Sequence, residues 1–315
     1  MQQILSSILM IRPVNFRMNL QTAINNYYQQ KIENMLPATI TKKAQTEFDQ
    51  LVQKLVNKDI DVLVVKDTLE TDTPDALFPN NWISFHENGD VALYPMFAKN
   101  RRQERREAIL DCVEKKGFLI ENIVDYTEAE EEGIYLEGTG SIVLDRLNKK
   151  AYCALSPRTD EELFIEFCED FEYTPVIFKA NQTVNSHREA IYHTNVMMCV
   201  AEQFVVICLA AIDDKKERKN VIKHLKENNK EIIDITEAQV HSFAGNMLQV
   251  KNTSEEQYLV MSTSAYNSLQ NNQLKKIEKH NEIIHSSIDT IETCGGGSVR
   301  CMMAEVSLPK NLKNN

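Results

Sequence analysis

The stretch CGGGSVRCMMAE, residues 294–305, places three consecutive glycines ahead of Cys301 in a chain that has only nine glycines among 315 residues. Glycine has no side-chain bulk and tolerates positive φ, so this run would let another molecule come very close to the Cys301 sulfur. A free cysteine also commonly packs as a small core hydrophobe. The stretch by itself is therefore consistent with a reactive thiol and with a loop that ends in a buried strand cysteine.

The composition is that of a globular chain: 43% of the residues are hydrophobic, 26% are charged and the net charge is −11. No segment approaches the roughly 18 consecutive apolar residues of a membrane span, and the opening residues lack a signal-peptide pattern, so we expect a cytoplasmic protein without membrane contact. A strongly negative chain is unsuited to phosphate backbones, so nucleic acid is not expected as a partner. The basic run from Lys99 to Arg106 is interpreted as a solvated helix face.

The seven cysteines are scattered, odd in number and free of CxxC pairs. This pattern favours neither a disulfide framework nor a zinc cluster. Cys294 and Cys301 alone do not make a metal site, so no metal is expected.

Amphipathic helical patterns alternate with short β-rich segments along the chain. The helical patterns lie at 41–57, with Thr41 as predicted N-cap, and at 100–116, 159–171, 213–229 and 265–281. The β-rich segments lie at 61–65, 82–95, 141–155, 204–211 and 245–250, and Asn88-Gly89 predicts a hairpin turn. Because no linker interrupts this pattern, we predict a single α/β domain over residues 1–315. About five strand-strand-helix-strand units would fit, in a cyclic array or in an open sheet.

A cysteine nucleophile requires an acid/base partner, and that partner requires an orienting group. Three segments offer such residues beside strand ends or turns: LEGTGSIVLDR (136–146) with Glu137, IYHTNVMM (191–198) with His193, and CGGGSVRCMMAE (294–305) with Cys301. The other histidines lack such a setting and are interpreted as structural.

Six motifs occur in the order seen in enzymes that modify guanidino groups: TPDALFPNNWISF (73–85), LEGTGSIVLDR (136–146), ALSPRTDEE (154–162), YHTNVMM (192–198), AGNMLQV (244–250) and GGGSVRCMMAE (295–305). On these motifs the chain resembles the amidinotransferase and arginine deiminase superfamily, also called penteins, which includes dimethylarginine dimethylaminohydrolases. The resemblance runs from about Ile8 to Leu308. It implies a five-bladed α/β propeller with the active site in its central channel. It also implies a small guanidino or ureido amino acid as ligand, and it leaves room for a homodimer.

The resemblance further implies roles for individual residues. Cys301 matches the nucleophile, His193 the general acid/base and Glu137 the carboxylate that hydrogen-bonds the histidine. Arg158 matches an arginine that holds the substrate's carboxylate through a bidentate fork. Asp75 matches a residue near the α-amino or guanidino end of the substrate.

Two positions depart from the deiminase pattern. Deiminases hold the guanidinium of the substrate with aspartates, and Asn81 and Asn195 stand at those places here. A buried cation without a carboxylate costs on the order of several kcal/mol, whereas an amide offers a donor and an acceptor to a neutral ureido group. Glu137 and Asp75 could instead supply the charge. Asn246 falls on a position beside the site and is assigned no chemical role.

These residues predict a cysteine-dependent hydrolase, with L-citrulline converted to ornithine, ammonia and carbon dioxide. Cys301 would attack as a thiolate stabilised by protonated His193 and form an S-carbamoyl enzyme that water releases, without any cofactor. The glycines would keep bulk away from the sulfur so that a planar substrate fits against it. The alternatives are an arginine deiminase or dihydrolase, an amidinotransferase, and a non-catalytic binding protein on the same fold.

Overall fold

The computed structural model describes residues 2–311. Met1 and residues 312–315, which the predicted domain includes, lie outside the described residues. The strands are β1 (Ser7–Arg12), β2 (Asp61–Lys66), β3 (Ile83–Phe85), β4 (Asp90–Leu93), β5 (Asn122–Asp125), β6 (Ile142–Asp145), β7 (Lys150–Ala154), β8 (Thr174–Phe178), β9 (Asn181–Val184), β10 (His187–Ala190), β11 (Met198–Val200), β12 (Phe204–Ile207), β13 (Glu231–Asp234), β14 (Leu248–Lys251), β15 (Gln257–Ser262), β16 (Glu282–Ser286) and β17 (Ala304–Glu305).

Helices connect these strands. The α-helices are α1 (Pro37–Val56), α2 (Glu107–Lys115), α3 (Gly138–Ser141), α4 (Glu161–Asp170), α5 (Thr194–Met197), α6 (Lys215–Glu227), α7 (Glu237–His241), α8 (Thr263–Ser268), α9 (Asn271–Glu278) and α10 (Asp289–Gly295). Short 3₁₀ helices lie at Pro79–Asn81, Lys99–Glu104, Thr127–Glu131, Leu209–Ala211 and Val299–Met302.

The strands within residues 2–311 form five three-stranded sheets and one two-stranded hairpin. The sheets are β17-β1-β2, β3-β4-β5, β6-β7-β8, β11-β12-β13 and β14-β15-β16, and the hairpin is β9-β10. In each sheet one pair of strands is antiparallel and the other is parallel, and at least one helix connects the two parallel strands. The predicted strand-strand-helix-strand unit is therefore present in every three-stranded sheet.

One sheet joins the two ends of the chain. β17 pairs antiparallel with β1, with Ile8 opposite Glu305 and Leu9 opposite Ala304, and β1 pairs parallel with β2. β17 thus occupies the place that the first strand has in the other four sheets. The loop that carries Cys301 consequently leads into its sheet in the same way as the loops ahead of β3, β6, β11 and β14.

Predicted site residues occupy this shared position in all five units. Asn81 ends the 3₁₀ helix ahead of β3, Glu137 precedes α3 and β6, and His193 precedes α5 and β11. Asn246 lies two residues before β14, and Cys301 lies in the 3₁₀ helix ahead of β17. The repeated unit therefore delivers one candidate residue from each sheet.

The helices pack through one apolar face, as their periodicity predicts. α1 buries residues spaced three or four apart: Ile40, Ala44, Phe48, Leu51 and Leu55. Each large apolar side chain buried in this way contributes about 1.5–3 kcal/mol. No helix among residues 2–311 is long and apolar enough to cross a membrane.

The structure confirms the Asn88-Gly89 turn and corrects three predicted helices, one of which, at 100–116, is the 3₁₀ helix Lys99–Glu104 followed by α2. Gly89 has φ +92°, which glycine adopts without strain. The first helix begins at Pro37, a residue pre-organised for a helix start, and Thr41 instead donates to the carbonyl of Phe16 at 2.9 Å. The predicted 265–281 helix is two helices, because the Gln270 capping box starts a new one.

Candidate active site

The predicted site residues meet at one cavity. Those that line it are Asp75, Asn81, Arg158, His193 and Cys301, together with Thr22, Asn26, Phe78, Arg101, Tyr192, Gly295 and Gly297. The other three predicted site residues contact residues that line the cavity. Glu137 hydrogen-bonds His193, and Asn195 and Asn246 hydrogen-bond Cys301. The volume open to water is ≈ 10 Å³, about that of one water molecule. An amino-acid substrate therefore requires the cavity to open.

Glu137 and His193 form a fully buried pair. Nε2 of His193 lies 2.7 Å from Oε2 of Glu137. The other carboxylate oxygen accepts from the backbone N–H of Phe97 at 3.0 Å, and Arg158 Nη1 lies 3.4 Å from Oε2. Both oxygens of Glu137 are thus engaged by protein groups.

The charge states of this pair follow from burial and neighbours. Burial alone would raise the pKa of Glu137, but Arg158 and His193 lower it to about 2. Burial lowers the pKa of His193 to about 4, although Glu137 acts in the opposite direction. His193 is therefore neutral at pH 7. Because an ionised carboxylate only accepts, Nε2 carries the proton and Nδ1 is left as the base.

Cys301 lies between two amides and is almost completely buried. Its Sγ is 3.3 Å from Nδ2 of Asn246 and 3.5 Å from Nδ2 of Asn195. The neutral state of His193 is incompatible with the predicted imidazolium partner for the thiolate. The amides, and not a protonated histidine, are the polar groups bonded to the sulfur.

The three glycines at 295–297 allow other parts of the chain to pack closely against the loop that precedes Cys301. A Cβ on Gly295 or Gly297 would lie 2.8 or 3.0 Å from the Phe78 ring. Gly296 has φ +61°, and a Cβ there would lie 2.6 Å from the side chain of Asn26. The predicted reason for the glycines, close approach of a substrate to sulfur, is therefore incomplete: Phe78 and the segment around Asn26 already occupy that space.

Residues 19–30, which we call the strap, cover this glycine loop. Asn26 Nδ2 donates to the carbonyls of Gly295 and Gly296 at 3.3 Å each. Gln29 Nε2 donates to the Cys294 carbonyl at 3.1 Å, and the Gln30 N–H donates to Thr293 at 2.6 Å. Sequence patterns missed the strap because it has neither helical nor strand periodicity.

The strap also engages the two residues expected to hold the amino-acid end of the substrate. Arg158 Nε and Nη2 donate to Asn25 Oδ1 at 2.8 and 2.6 Å. Asp75 Oδ2 accepts from Asn19 at 2.8 Å and from Thr22 at 3.2 Å, whereas its Oδ1 is buried without a partner among the described residues. Burial raises the pKa of Asp75. Asp75 Oδ1 is therefore an unused acceptor on a cavity-lining side chain.

Arg101 is a cavity residue that the sequence patterns placed on a solvated helix face. It is 2% exposed and donates to both carboxylate oxygens of Glu104 at 2.9 Å. Its Nη1 donates to Asn81 Oδ1 at 2.7 Å. The signal that points to this arrangement is the acid three residues later, which neutralises Arg101 and allows its burial.

Residues 2–311 contain no group of three His, Cys, Asp or Glu side chains that could hold a metal ion.

Solved structures of guanidino-group enzymes share this fold. ArgZ, an arginine dihydrolase from the ornithine-ammonia cycle in cyanobacteria, matches with a TM-score of 0.73 and 17% identity over 96% of this chain and 41% of ArgZ. Its N-terminal domain, bound to substrate, matches with a TM-score of 0.72 and 17% identity over 96% of this chain and 98% of that domain. A dimethylarginine dimethylaminohydrolase in an adduct with S-methyl-L-thiocitrulline matches with a TM-score of 0.62 and 14% identity, over 96% of this chain and 99% of that one. The α/β fold is thus that of the pentein superfamily.

A family profile identifies the family of this chain within the superfamily. The profile of eukaryotic N,N dimethylarginine dimethylhydrolases matches residues 12–308, so the chain belongs to this family of hydrolases that act on non-peptide C–N bonds. The chain spans 41% of full-length ArgZ. Curated protein sequences contain no match.

Gly140 gives a test of the site's geometry. A Cβ at this position would lie 2.4 Å from Asn81 Nδ2 and 2.7 Å from His193 Nδ1. Gly140→Ala should displace both side chains and lower kcat about 10- to 100-fold, since misplacing reacting groups by about 1 Å has effects of this size. Steady-state kinetics and a thermal melt of the same sample measure this.

Gly117→Ala is the matched control. Gly117 has φ +90°, a Cβ added there would meet no described heavy atom within 4 Å, and the residue does not line the cavity. The strained backbone should cost about 1–2 kcal/mol of stability while kcat stays unchanged. Wild-type kcat in Gly140→Ala would show that the cavity tolerates the displacement and that the geometry described here is not required.

Proposed function

We propose that the chain is a cysteine-dependent hydrolase of a ureido amino acid, with L-citrulline converted to ornithine, ammonia and carbon dioxide. The observation that carries this proposal is the buried Arg101 that donates to Asn81. Both oxygens of Glu104 are taken by Arg101, and both oxygens of Glu137 are taken by other groups. The surroundings of Asn81 therefore offer no free carboxylate to a substrate guanidinium, whereas a neutral ureido group needs none.

The amino-acid end of the substrate has two matching groups. Asp75 Oδ1, buried and without a partner among the described residues, suits an α-ammonium. Arg158 suits an α-carboxylate through its planar fork once Asn25 is displaced. These contacts support a zwitterionic amino acid, and they leave the neutral end for the asparagines.

The proposed reaction uses Cys301 and His193. The Cys301 sulfur attacks the ureido carbon, and its proton passes to His193 Nδ1. The C–N bond to ornithine then breaks, and Nδ1 protonates the departing amine, which leaves an S-carbamoyl enzyme. In the second half Nδ1 accepts a proton from water, the water oxygen bonds the carbamoyl carbon, and the C–S bond breaks as the sulfur is reprotonated. The carbamate decomposes to ammonia and carbon dioxide.

The propeller architecture, the cellular compartment and the partners of the enzyme are also proposals. We place the five sheets as the blades of a five-bladed α/β propeller in one catalytic domain over residues 1–315, because each contributes a cavity loop at the same point of its unit. The seven free cysteines suit a reducing cytoplasm. A homodimer and the absence of nucleic-acid binding remain predictions.

The wild-type enzyme should favour citrulline over arginine by at least about 100-fold in kcat/KM, equivalent to about 2.7 kcal/mol. Asn81→Asp adds a carboxylate to the cavity and should raise the arginine-to-citrulline ratio at least about tenfold. Release of ornithine and ammonia from each substrate measures both quantities.

Asn57→Asp is the matched control, because it adds the same charge on an exposed side chain that does not line the cavity. Its ratio should stay within about threefold of the wild type. Equal wild-type turnover of arginine, or an unchanged ratio in Asn81→Asp, would favour an arginine dihydrolase. Transfer to an added amine would instead indicate an amidinotransferase.

A further inference from the structure

We propose that Asn246 is a catalytic residue that stabilises the Cys301 thiolate through a fixed N–H···S hydrogen bond. The proposal rests on the proposed nucleophilic role of Cys301, but it does not depend on which substrate is hydrolysed. It gives a chemical role to a residue that sequence reasoning could only place beside the site.

The orientation of the Asn246 amide is set by three contacts. Its Oδ1 accepts from the backbone N–H of Arg300 at 3.0 Å. Its Nδ2 donates to the carbonyl of Asn195 at 3.0 Å and reaches the Cys301 sulfur at 3.3 Å. A flipped amide would place its oxygen against the Asn195 carbonyl and its NH₂ against an N–H. The amide nitrogen therefore faces the sulfur.

This arrangement makes Asn246 solely a donor towards the Cys301 sulfur. One Nδ2 hydrogen is used by Asn195, and the other points to the sulfur. A thiol sulfur is a weak acceptor, whereas a hydrogen bond to an ionised group is about twice as strong as a neutral one. The contact consequently stabilises the thiolate more than the thiol. Asn246 is fully buried, so water does not weaken this preference.

Asn195 has a different relation to the sulfur. Its Nδ2 lies 3.5 Å and its Oδ1 3.8 Å from Sγ. It can donate to a thiolate or accept from a thiol, so it serves both states of Cys301. Asn246 is the amide that discriminates between them.

The charged side chains near Cys301 do not take over the role of Asn246 in stabilising the thiolate. The titratable and charged side chains that line the same cavity are Asp75, Arg101, Arg158, Tyr192 and His193. Arg101 is paired with Glu104, Arg158 lies beside Glu137, and His193 is neutral at pH 7. The guanidinium next along the chain, Arg300, donates to Met303 and pairs with Glu305 at 2.9 Å.

The test is the ionisation of Cys301 without substrate. Thiolate absorbance at 240 nm is titrated from pH 5 to pH 11 as the difference between each protein and its Cys301→Ser counterpart. Asn246→Asp keeps an acceptor for the Arg300 N–H but presents a charged oxygen to the sulfur, and Asn246→Leu removes the donor without adding charge. The transitions of both variants should lie above that of the wild type, by about one pH unit or more in Asn246→Asp, and a rise in Asn246→Asp alone would reflect charge repulsion and contradict the proposal. Gln249→Glu, a matched amide-to-acid change in β14 that does not contact Cys301, should titrate like the wild type.

Superimposable transitions in Asn246→Asp and wild type, with the thermal melt unchanged, would overturn the proposal even if turnover fell. If Asn246→Asp does not fold, the wild type itself decides. The ¹⁵N side-chain resonance of Asn246 should shift with the Cys301 transition and stay constant in Cys301→Ser. An Asn246 resonance that ignores the transition contradicts the proposal. Failure of the proposed function has another signature: citrulline and arginine would both be inert while the wild-type and Asn246→Asp transitions still differ.

Discussion

Cys301→Ala should lower kcat for the preferred substrate by at least about 10⁴-fold, because removing a catalytic nucleophile abolishes the covalent route and leaves only binding and positioning. The fold should survive, since the substitution removes one buried sulfur atom. Steady-state turnover and a thermal melt measure the two effects. Acid-quenched wild-type enzyme should in addition carry a carbamoyl adduct that intact-mass analysis and peptide mapping place on Cys301.

Cys294→Ala is the matched control for this substitution. Cys294 is also buried, seven residues earlier, and its backbone carbonyl accepts from Gln29 whatever its side chain is. We expect a stability loss of about 1–2 kcal/mol with kcat within about threefold of the wild type. An adduct on Cys294, or turnover retained in Cys301→Ala, would place the nucleophile elsewhere and remove the basis of the proposed mechanism.

The fold could be predicted from the sequence where the signals are local. α1 and α4 follow an apolar periodicity, and Asn88-Gly89 marks a hairpin. The pairing of β17 with β1 has no local signal, because the two-residue strand β17 lies about 290 residues from its partner. Neither the sequence patterns nor the family resemblance predicted this pairing.

The site was predicted where a residue lies in a motif. Glu137, His193 and Cys301 were placed together by resemblance. His193 and Cys301 line one cavity and Glu137 bonds His193, and their catalytic roles stay predictions. Arg101 was missed because a basic run is usually exposed, and its burial depends on a bidentate contact with Glu104 that spacing alone does not reveal.

The protonated His193 expected from the motif differs from the neutral form that burial favours. A histidine beside a carboxylate is expected to gain a proton, yet the desolvation of a fully buried ring outweighs that attraction. Thr22 and Asn26 of the strap line the same cavity as His193, and they come from a part of the chain with no recognisable sequence pattern. Charge states at the site are thus a property of the assembled structure, and they change the proposed mechanism from an ion pair to a neutral base.

His193→Gln tests this neutral base. Because His193 must be neutral to accept a proton and its pKa lies at about 4, wild-type kcat/KM should stay level as pH falls to about 5 and should halve near pH 4. His193→Gln should lower kcat by about 10²–10⁴-fold, and its residual rate should lack this acid limb. A pH series of kcat/KM for both proteins measures the effect. An acid limb near pH 6.5 in the wild type would mean that the ring is not desolvated as described.

The lowered pKa of His193 also predicts how the free energy of unfolding depends on pH. The unfolded chain binds the His193 proton near pH 6.5 and the folded chain only near pH 4, so folding is weakened by about 1.4 kcal/mol for each pH unit of acidification between these values. Glu137, whose pKa is lowered from 4.5 to about 2, keeps its full contribution above about pH 5 and begins to lose it only at the acid end of this window, so the slope that belongs to His193 is measured between about pH 6.5 and pH 5. His193→Gln should therefore flatten the dependence of unfolding free energy on pH. His86→Gln, which removes another buried histidine with a lowered pKa outside the cavity, should flatten it too but leave kcat unchanged. If only His193→Gln loses activity while both lose pH dependence, desolvation sets the charge of both rings, and position at the cavity decides which one is a base.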